Sequence, residues 1–339
     1  MHFKFIMNNK RLESQIKELI TDKSNSVIIP HKNPDGDALG SCLALNFFLL
    51  NKGLNSIVIS PNDYPSFLKW MPGENRILNF DNKSSEAINR IENADLIFTL
   101  DFNDLSRSGN ICDEIKRAKG QIIMIDHHEN SKKYADFELS QPEIGSTCEM
   151  IYNLIEYIDP DSITPDIASC LYTGIMTDTG SFRFPSTSAE THHIISKLIE
   201  KGANNSKIHE NIYDNFSYNR LKLLGVALKN IEKIDPLPYV VITLSQIELD
   251  DCFFKKGDTE GFVNYGLSIK GIDLSIILIE SKEDNIIKMS LRSKGDFSVN
   301  VFAEKYFNGG GHHNAAGGVS RETLVKTKKK LISLLKSYN

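Results

Sequence analysis

The sequence predicts an α/β fold: a first domain on a parallel sheet, a helical connector, and a smaller second α/β domain. Three observations carry this. Through the first half, apolar runs of strand length alternate with stretches of helix length, the pattern of parallel strands joined by crossover helices. Several of those runs stop at an acid or an imidazole, as strands do when they deliver polar groups to the carboxyl edge of an open sheet. After about residue 235 the runs become rich in β-branched residues and follow a new order, which marks a second domain. The expected boundaries are 1–186, 187–235 for the connector, and 236–339.

Residues 8–21 carry Leu12, Ile16, Leu19 and Ile20 at helical spacing, and 26–30 reads as a strand. The loop His31-Lys32-Asn33-Pro34-Asp35-Gly36-Asp37 has Asn-Pro and Asp-Gly turn chemistry, and 38–50 is an apolar helix ended by Asn51-Lys52-Gly53. A strand at 56–60, a connection holding Trp70, and a helix at 84–92 lead to the run 96–100, which stops at Asp101. Helix 111–118, strand 121–125 and helix 146–157 continue the alternation, and the strand runs directly into Asp126-His127-His128. Helix 165–177 has Pro165 in its first turn and ends at Asp178. The pattern is helical from about 187 to 233, including 188–201 and 218–231. Beyond it, 239–244, 274–279 and 286–291 read as strands, with helices near 259–269 and 298–306, a glycine-rich stretch at 309–318, and a lysine-rich helix at 321–337.

A chain of 339 residues, 40% apolar and 24% charged, has the size of about two globular domains. Nothing approaches the roughly 18 apolar residues of a membrane span, and residues 1–10 do not read as a signal peptide, so a cytoplasmic protein is expected. The five cysteines are odd in number, far apart and never in a Cys-x-x-Cys pair, which argues against a disulfide framework and a thiolate zinc site. A net charge of −5 does not describe a protein that coats nucleic acid through a basic surface. A phosphorylated ligand would have to be received by local basic groups or metal ions.

The polar residues at element ends are eight: His31, Asp35, Asp37, Asp101, Asp126, His127, His128 and Asp178. Taken singly, Asp-Gly-Asp is a turn and Asp101 a helix cap. Together they form a carboxylate and imidazole set without thiolate, suited to Mn²⁺ first, with Mg²⁺, Co²⁺ or Fe²⁺ as alternatives. The set exceeds what one ion needs. Two ions bridged by a carboxylate would use it, and would clamp the in-line attack of an activated water on phosphorus.

Four motifs, HKNPDGDALGS, TLDFNDLSRSG, IDHHEN and GIMTDTGSFRF, in this order resemble the DHH phosphoesterase superfamily, and the tail YFNGGGHHNAAGG resembles the DHH-associated domain. Together they are similar to the nano-RNase/pAp-phosphatase branch, over essentially the whole chain. The resemblance implies a Rossmann-like first domain and an active site in the cleft between the domains. It implies that His31 and Asp35 hold one ion, that Asp37, His127 and Asp178 hold the other, and that Asp101 bridges them. His128 would contact the scissile phosphate or the leaving oxygen, Asp126 would orient a histidine, and Arg107 would sit on a substrate phosphate. In the second domain, Gly309, Gly310 and Gly311 would offer N–H groups to phosphate, with Arg292, Ser293 and His312 as further substrate contacts. Phe182 and Phe184 could stack a base, and read at least as well as core residues.

The activity implied is a manganese-dependent phosphodiesterase acting on short oligoribonucleotides, with adenosine 3′,5′-bisphosphate phosphatase activity beside it. The alternatives are a phosphodiesterase for linear or cyclic diadenylate, a small-molecule phosphatase and, from another class, a non-catalytic nucleotide-binding sensor. A family II inorganic pyrophosphatase shares the first-domain motifs, but Arg292 and the 309–318 signature argue against it. The implied partner is short RNA or a nucleotide, with no membrane and no obligate protein partner; a homodimer is compatible. One departure stands out: Asn308 occupies a position where the family commonly shows a fourth glycine.

Overall fold

The computed structural model describes residues 11–20 and 25–338. The ends of the expected 8–21 helix lie outside the described residues. The chain divides into two compact units, Met1–Asn215 and Phe216–Asn339. Of the stretch expected as a connector, two helices fall in the first unit and one in the second.

In the first unit, α1 (11–20) precedes β1 (Asn25–Pro30), α2 (Gly36–Asn51), β2 (Asn55–Ser60), β3 (Leu78–Asn79), α3 (Ser84–Glu92), β4 (Leu96–Leu100) and α4 (Cys112–Arg117). Then come β5 (Gln121–Asp126), β6 (Phe137–Ser140), α5 (Thr147–Ile158), α6 (Pro165–Asp178), α7 (Ala189–Glu200) and α8 (Asn205–Tyr213). The six strands are all parallel, in the order β3-β2-β1-β4-β5-β6. Both faces of the sheet are covered, which is why its strands are continuous apolar runs. Ile28, Phe98 and Ile125 belong to the core that holds α2, α5 and α6, whereas Val27, Ile29 and Ile97 belong to the core that holds α3 and α4. The strand order runs outward in both directions from the β1–β4 pair. Loops leaving those two strands therefore part at the carboxyl edge and leave a crevice, the usual ligand position in such sheets.

The second unit is built from α9 (Tyr218–Lys229), β7 (Glu232–Lys233), β8 (Tyr239–Leu244), α10 (Gln246–Asp251), α11 (Asn264–Leu267), β9 (Leu274–Ser281) and β10 (Ile286–Ser293). It closes with α12 (Val299–Phe307), β11 (Gly310–His312), β12 (Ala315–Ser320) and α13 (Leu324–Ser337). Its sheet, in the order β11-β12-β10-β9-β8-β7, is parallel only between β8 and β9. Val241, Ile276 and Leu291 pack with α12 and α13 on one face, and Ile242 and Ile277 pack with α9 and α10 on the other.

The elements expected from periodicity are present, with three differences. The helix expected near 259–269 shrinks to α11, because Gly257 and Gly261 take φ of +99° and +78° and break the helical path before it. The helix expected at 111–118 is preceded by a 3₁₀ stretch, Leu105–Ile111, capped by the Asp104 carboxylate on Ser106 N–H. The glycine-rich stretch at 309–318, which periodicity leaves without an element, carries the hairpin of β11 and β12. All five cysteines are free. Among the described residues no helix is long and apolar enough to cross a membrane.

Candidate functional site

The crevice at the carboxyl edge of the first sheet receives the first residue after β1, His31, and the first after β4, Asp101. Asp35 is the N-cap of α2: its Oδ1 accepts from Asp37 N–H (3.1 Å) and Ala38 N–H (3.0 Å), while its Oδ2 lies 3.8 Å from His31 Nε2. One carboxylate thus starts the helix and also faces the site. Asp37, in the first turn of α2, is buried, and the amino end of α5 holds it. Thr147 N–H donates to Asp37 Oδ2 (2.7 Å) and Cys148 N–H to Asp37 Oδ1 (2.9 Å), the arrangement by which helix amino ends bind anions.

Asp101 is the centre of the arrangement. Its φ of +67° puts a non-glycine residue in the left-handed region, a strain that the surroundings must hold in place. Asp101 Oδ2 lies 3.5 Å from His31 Nε2, and Oδ1 lies 3.5 Å from His127 Nε2 and 3.7 Å from His128 Nδ1. His127 Nε2 also lies 3.5 Å from Asp178 Oδ2 at the end of α6 and 3.9 Å from Asp37 Oδ2. Its Nδ1 lies 3.1 Å from the Ile144 carbonyl, so that carbonyl accepts the Nδ1 proton and turns Nε2 to the carboxylates. Asp126 accepts from His128 N–H (3.0 Å) and is paired with His128 Nδ1 at 2.7 Å.

Three groups of potential ligand atoms lie within the first unit, His31 with Asp35 and Asp101, Asp37 with Asp101 and His127, and Asp126 with Asp101 and His128, and Asp101 belongs to all three. Their electrostatics calls for positive charge. Burial, with Asp101 and Asp178 facing it, pushes the Asp37 carboxyl well above its ordinary value. Burial opposes charging His31, yet Asp101 and Asp35 outweigh it and raise that imidazole to about 10; His127 is driven up by Asp101 and Asp178 in the same way. Asp101 in turn is held well below the carboxylate range, because His127 and His31 outweigh the cost of its burial. Protons here play the part for which a divalent cation is better suited, and a cation that displaced them would release them. The oxygen and nitrogen donor set fits a hard to borderline divalent ion.

All six residues expected to hold metal are therefore brought together, with Asp126 and His128 beside them. Arg107 lies in the 3₁₀ stretch, half-buried; its carbonyl accepts from Lys32 N–H (2.7 Å) and ties the loop after β4 to the loop after β1. In the second unit, Arg292 and Ser293 end β10 and His312 ends β11. The Ser293 hydroxyl is engaged within its own turn: it donates to the Phe297 carbonyl (2.7 Å) and accepts from Asn314 Nδ2 (2.9 Å). Gly309 and Gly311 are required by close packing, since a Cβ would come to 2.0 Å of the Gly317 carbonyl oxygen and 2.3 Å of the Ala315 carbonyl oxygen; Gly310 is open. Phe182 packs against the first core, in edge contact with Tyr172, and Phe184 is 39% exposed.

Sequence reasoning missed Thr147, Cys148, Ile144 and Gly174. A Cβ on Gly174 of α6 would lie 2.9 Å from Asp37 Oδ1 and 2.2 Å from Cys148 Sγ, so this glycine makes room for the α2 carboxylate. The Ser146-x-x-Glu149 spacing is a helix-start signal that could have placed the donor end of α5.

Residues 25–175 match the family described as "DHH family, N-terminal domain", and 239–339 match the "DHHA1 domain". A crystal structure of an exopolyphosphatase-related protein from Bacteroides fragilis superposes with a TM-score of 0.94 at 39% identity, covering 97% of this chain and 96% of that one. The bifunctional oligoribonuclease and PAP phosphatase NrnA of Thermus thermophilus is 28% identical over 291 residues, 86% of this chain and 82% of that protein. The cyclic-di-AMP phosphodiesterase GdpP of Bacillus subtilis is 26% identical over 95% of this chain, which spans about half (49%) of that longer protein.

Proposed function

This chain belongs to the DHH family of phosphoesterases, with a DHHA1 domain following the DHH domain, and we propose that it is a two-metal hydrolase that releases mononucleotides from short oligoribonucleotides and also acts on adenosine 3′,5′-bisphosphate. The observation that carries this reading is the sharing of Asp101 between two of the carboxylate and imidazole groups at the carboxyl edge of the sheet. The similarity to the NrnA protein over most of both chains supports the substrate class.

In this reading His31 and Asp35 hold one divalent ion, Asp37, His127 and Asp178 the other, and Asp101 spans both; Mn²⁺ is the ion the donor set favours. Such ions lower the pKa of water and stabilise negative charge on phosphorus oxygens. The protein's own part is to keep His127 turned inward through the Ile144 carbonyl and to keep Asp37 fixed by the α5 amide groups. His128, steadied by Asp126, contacts the scissile phosphate or protonates the leaving oxygen. Arg107 takes a substrate phosphate. Residues 236–339 act as the substrate-binding domain, in which Arg292, His312 and the Gly309–Gly311 backbone take phosphate or base, and Ser293 holds the turn that presents Arg292.

With Mn²⁺, the purified protein is expected to release mononucleotides from di- to pentaribonucleotides, and Asp101→Ala to lower the rate by at least about 10³-fold by removing an electrostatic clamp of the transition state. Absence of hydrolysis of every phosphoester tried, with metal shown to be bound, would sink the reading. The similarity to GdpP along 95% of this chain favours a second reading, hydrolysis of cyclic or linear diadenylate. Turnover of the three substrate classes side by side separates the two.

A further inference from the structure

We propose that Thr147 is a positioning residue that sets the plane of the Asp101 carboxylate and thereby the strength of one of the two ion sites. The inference rests on the two-ion reading above. Thr147 is fully buried and holds two different carboxylates. Its N–H donates to Asp37 Oδ2 (2.7 Å), and its hydroxyl donates to Asp101 Oδ1 (3.0 Å). The two bonds bring together a helix-borne acid from α2 and a strand-end acid from β4, which are otherwise far apart in the chain.

The hydroxyl bond matters because Asp101 divides its oxygens. Oδ2 faces His31, and Oδ1 faces His127. An aspartate's terminal torsion is broad and nearly two-fold, so nothing intrinsic keeps each oxygen on its own side. The Thr147 hydroxyl singles out Oδ1 and turns its remaining lone pair to the His127 side, where the Thr147 N–H separately holds the Asp37 carboxylate. In the Asp37, Asp101, His127 group the hydroxyl thus holds the very oxygen of Asp101 that faces His127. The His31, Asp35, Asp101 group depends on it only through the opposite oxygen. Loss of the hydroxyl should therefore act unequally on the two ions. A buried hydroxyl that merely satisfied itself would have no such asymmetry.

The test is calorimetric titration of apo protein with Mn²⁺, paired with manganese EPR of the loaded protein, for wild type, Thr147→Val and Thr147→Ser. Valine keeps the shape and the N–H but removes the hydroxyl; serine keeps the hydroxyl. Wild type should bind two ions. T147V should weaken one of them by about 10- to 100-fold, the usual cost of losing an outer partner of a metal ligand, leave the other within about 3-fold, and lose the spin-coupled pair signal at limiting Mn²⁺. T147S should restore both constants, and the apo melting temperature should not follow the metal constants. Two unchanged constants in T147V, or equal weakening of both that tracks a fall in apo stability, overturn the proposal. A wild-type isotherm with a single ion removes the two-ion reading itself, and the asymmetry with it. If T147V fails to fold, Thr147→Ala against Thr147→Ser gives the same hydroxyl comparison.

Discussion

The two units treat buried polarity in opposite ways. The first buries Asp37, Asp101, Asp126, Glu149, His31, His127 and His128, nearly all at one edge of a parallel sheet. In the second, the buried polar side chains among the described residues are three serines, Ser275, Ser293 and Ser320, and one threonine, Thr327. The second unit instead carries a hairpin in which Gly309 and Gly311 are dictated by the close approach of β12 and α12. Buried carboxylates cost folding energy unless something cationic compensates them, and the first unit collects that cost at one edge of its sheet. The second carries no such burden.

The sharpest way to break this contrast is a pair of glycine substitutions. Gly174→Ala places a methyl group against Asp37 and Cys148. It should weaken Mn²⁺ binding by at least about 10-fold and lower apo stability by about 1–3 kcal/mol through overpacking. Gly309→Ala meets a backbone carbonyl and should destabilise the second unit by a similar amount, yet leave the Mn²⁺ titration at its wild-type constants. Equal effects of both variants on the titration would show that the metal chemistry does not reside in the first unit alone.

A smaller effect follows from Glu149, which burial raises to about 7 despite the hydrogen bond from the Thr191 hydroxyl. Between about pH 4.5 and 7 the unfolded chain has lost this proton while the folded chain keeps it. The unfolded state then binds fewer protons, so stability falls as pH rises through that window and levels off above it. Glu149→Gln removes the dependence. Its melting temperature should match wild type near pH 4.5 and exceed it above pH 7 by several degrees, on the order of 2 kcal/mol. A difference independent of pH would show that Glu149 keeps its charge in the fold.

The same contrast explains what could be read from the chain. His31, Asp101, Asp126, His127 and Asp178 stood out because each ends an apolar element, and a strand that ends in an acid is a local pattern. The strand order that gathers them agrees with the alternation of strand and helix lengths. Thr147 and Gly174 were invisible because their roles depend on which helices lie beside α2, a non-local fact. The strands β3, β6 and β7 escaped because edge strands of two to four residues bury too little for periodicity to show. The 309–318 hairpin escaped because strand propensity counts side chains, and its pairing is made by residues that have almost none.

Asn308 gives the finest test. It caps α12 at φ +46° and ψ +43°, with an exposed side chain, and the following Gly309 N–H donates to the Ala303 carbonyl at 3.1 Å. Helices end this way on glycine first and asparagine second, since both tolerate the left-handed region. Asparagine in place of glycine at this cap is therefore close to neutral: glycine relieves residual strain but gives the unfolded chain more freedom to lose. Asn308→Gly should alter stability by less than about 0.5 kcal/mol, while Asn308→Ala should cost about 1 kcal/mol, the left-handed penalty of an ordinary residue. Neither should change KM for an oligoribonucleotide by more than about 2-fold, well under the tenfold that corresponds to 1.4 kcal/mol. A several-fold shift in KM for Asn308→Gly at unchanged stability would place the Asn308 side chain on the ligand, beside Arg292 and His312, the side chains proposed for that role.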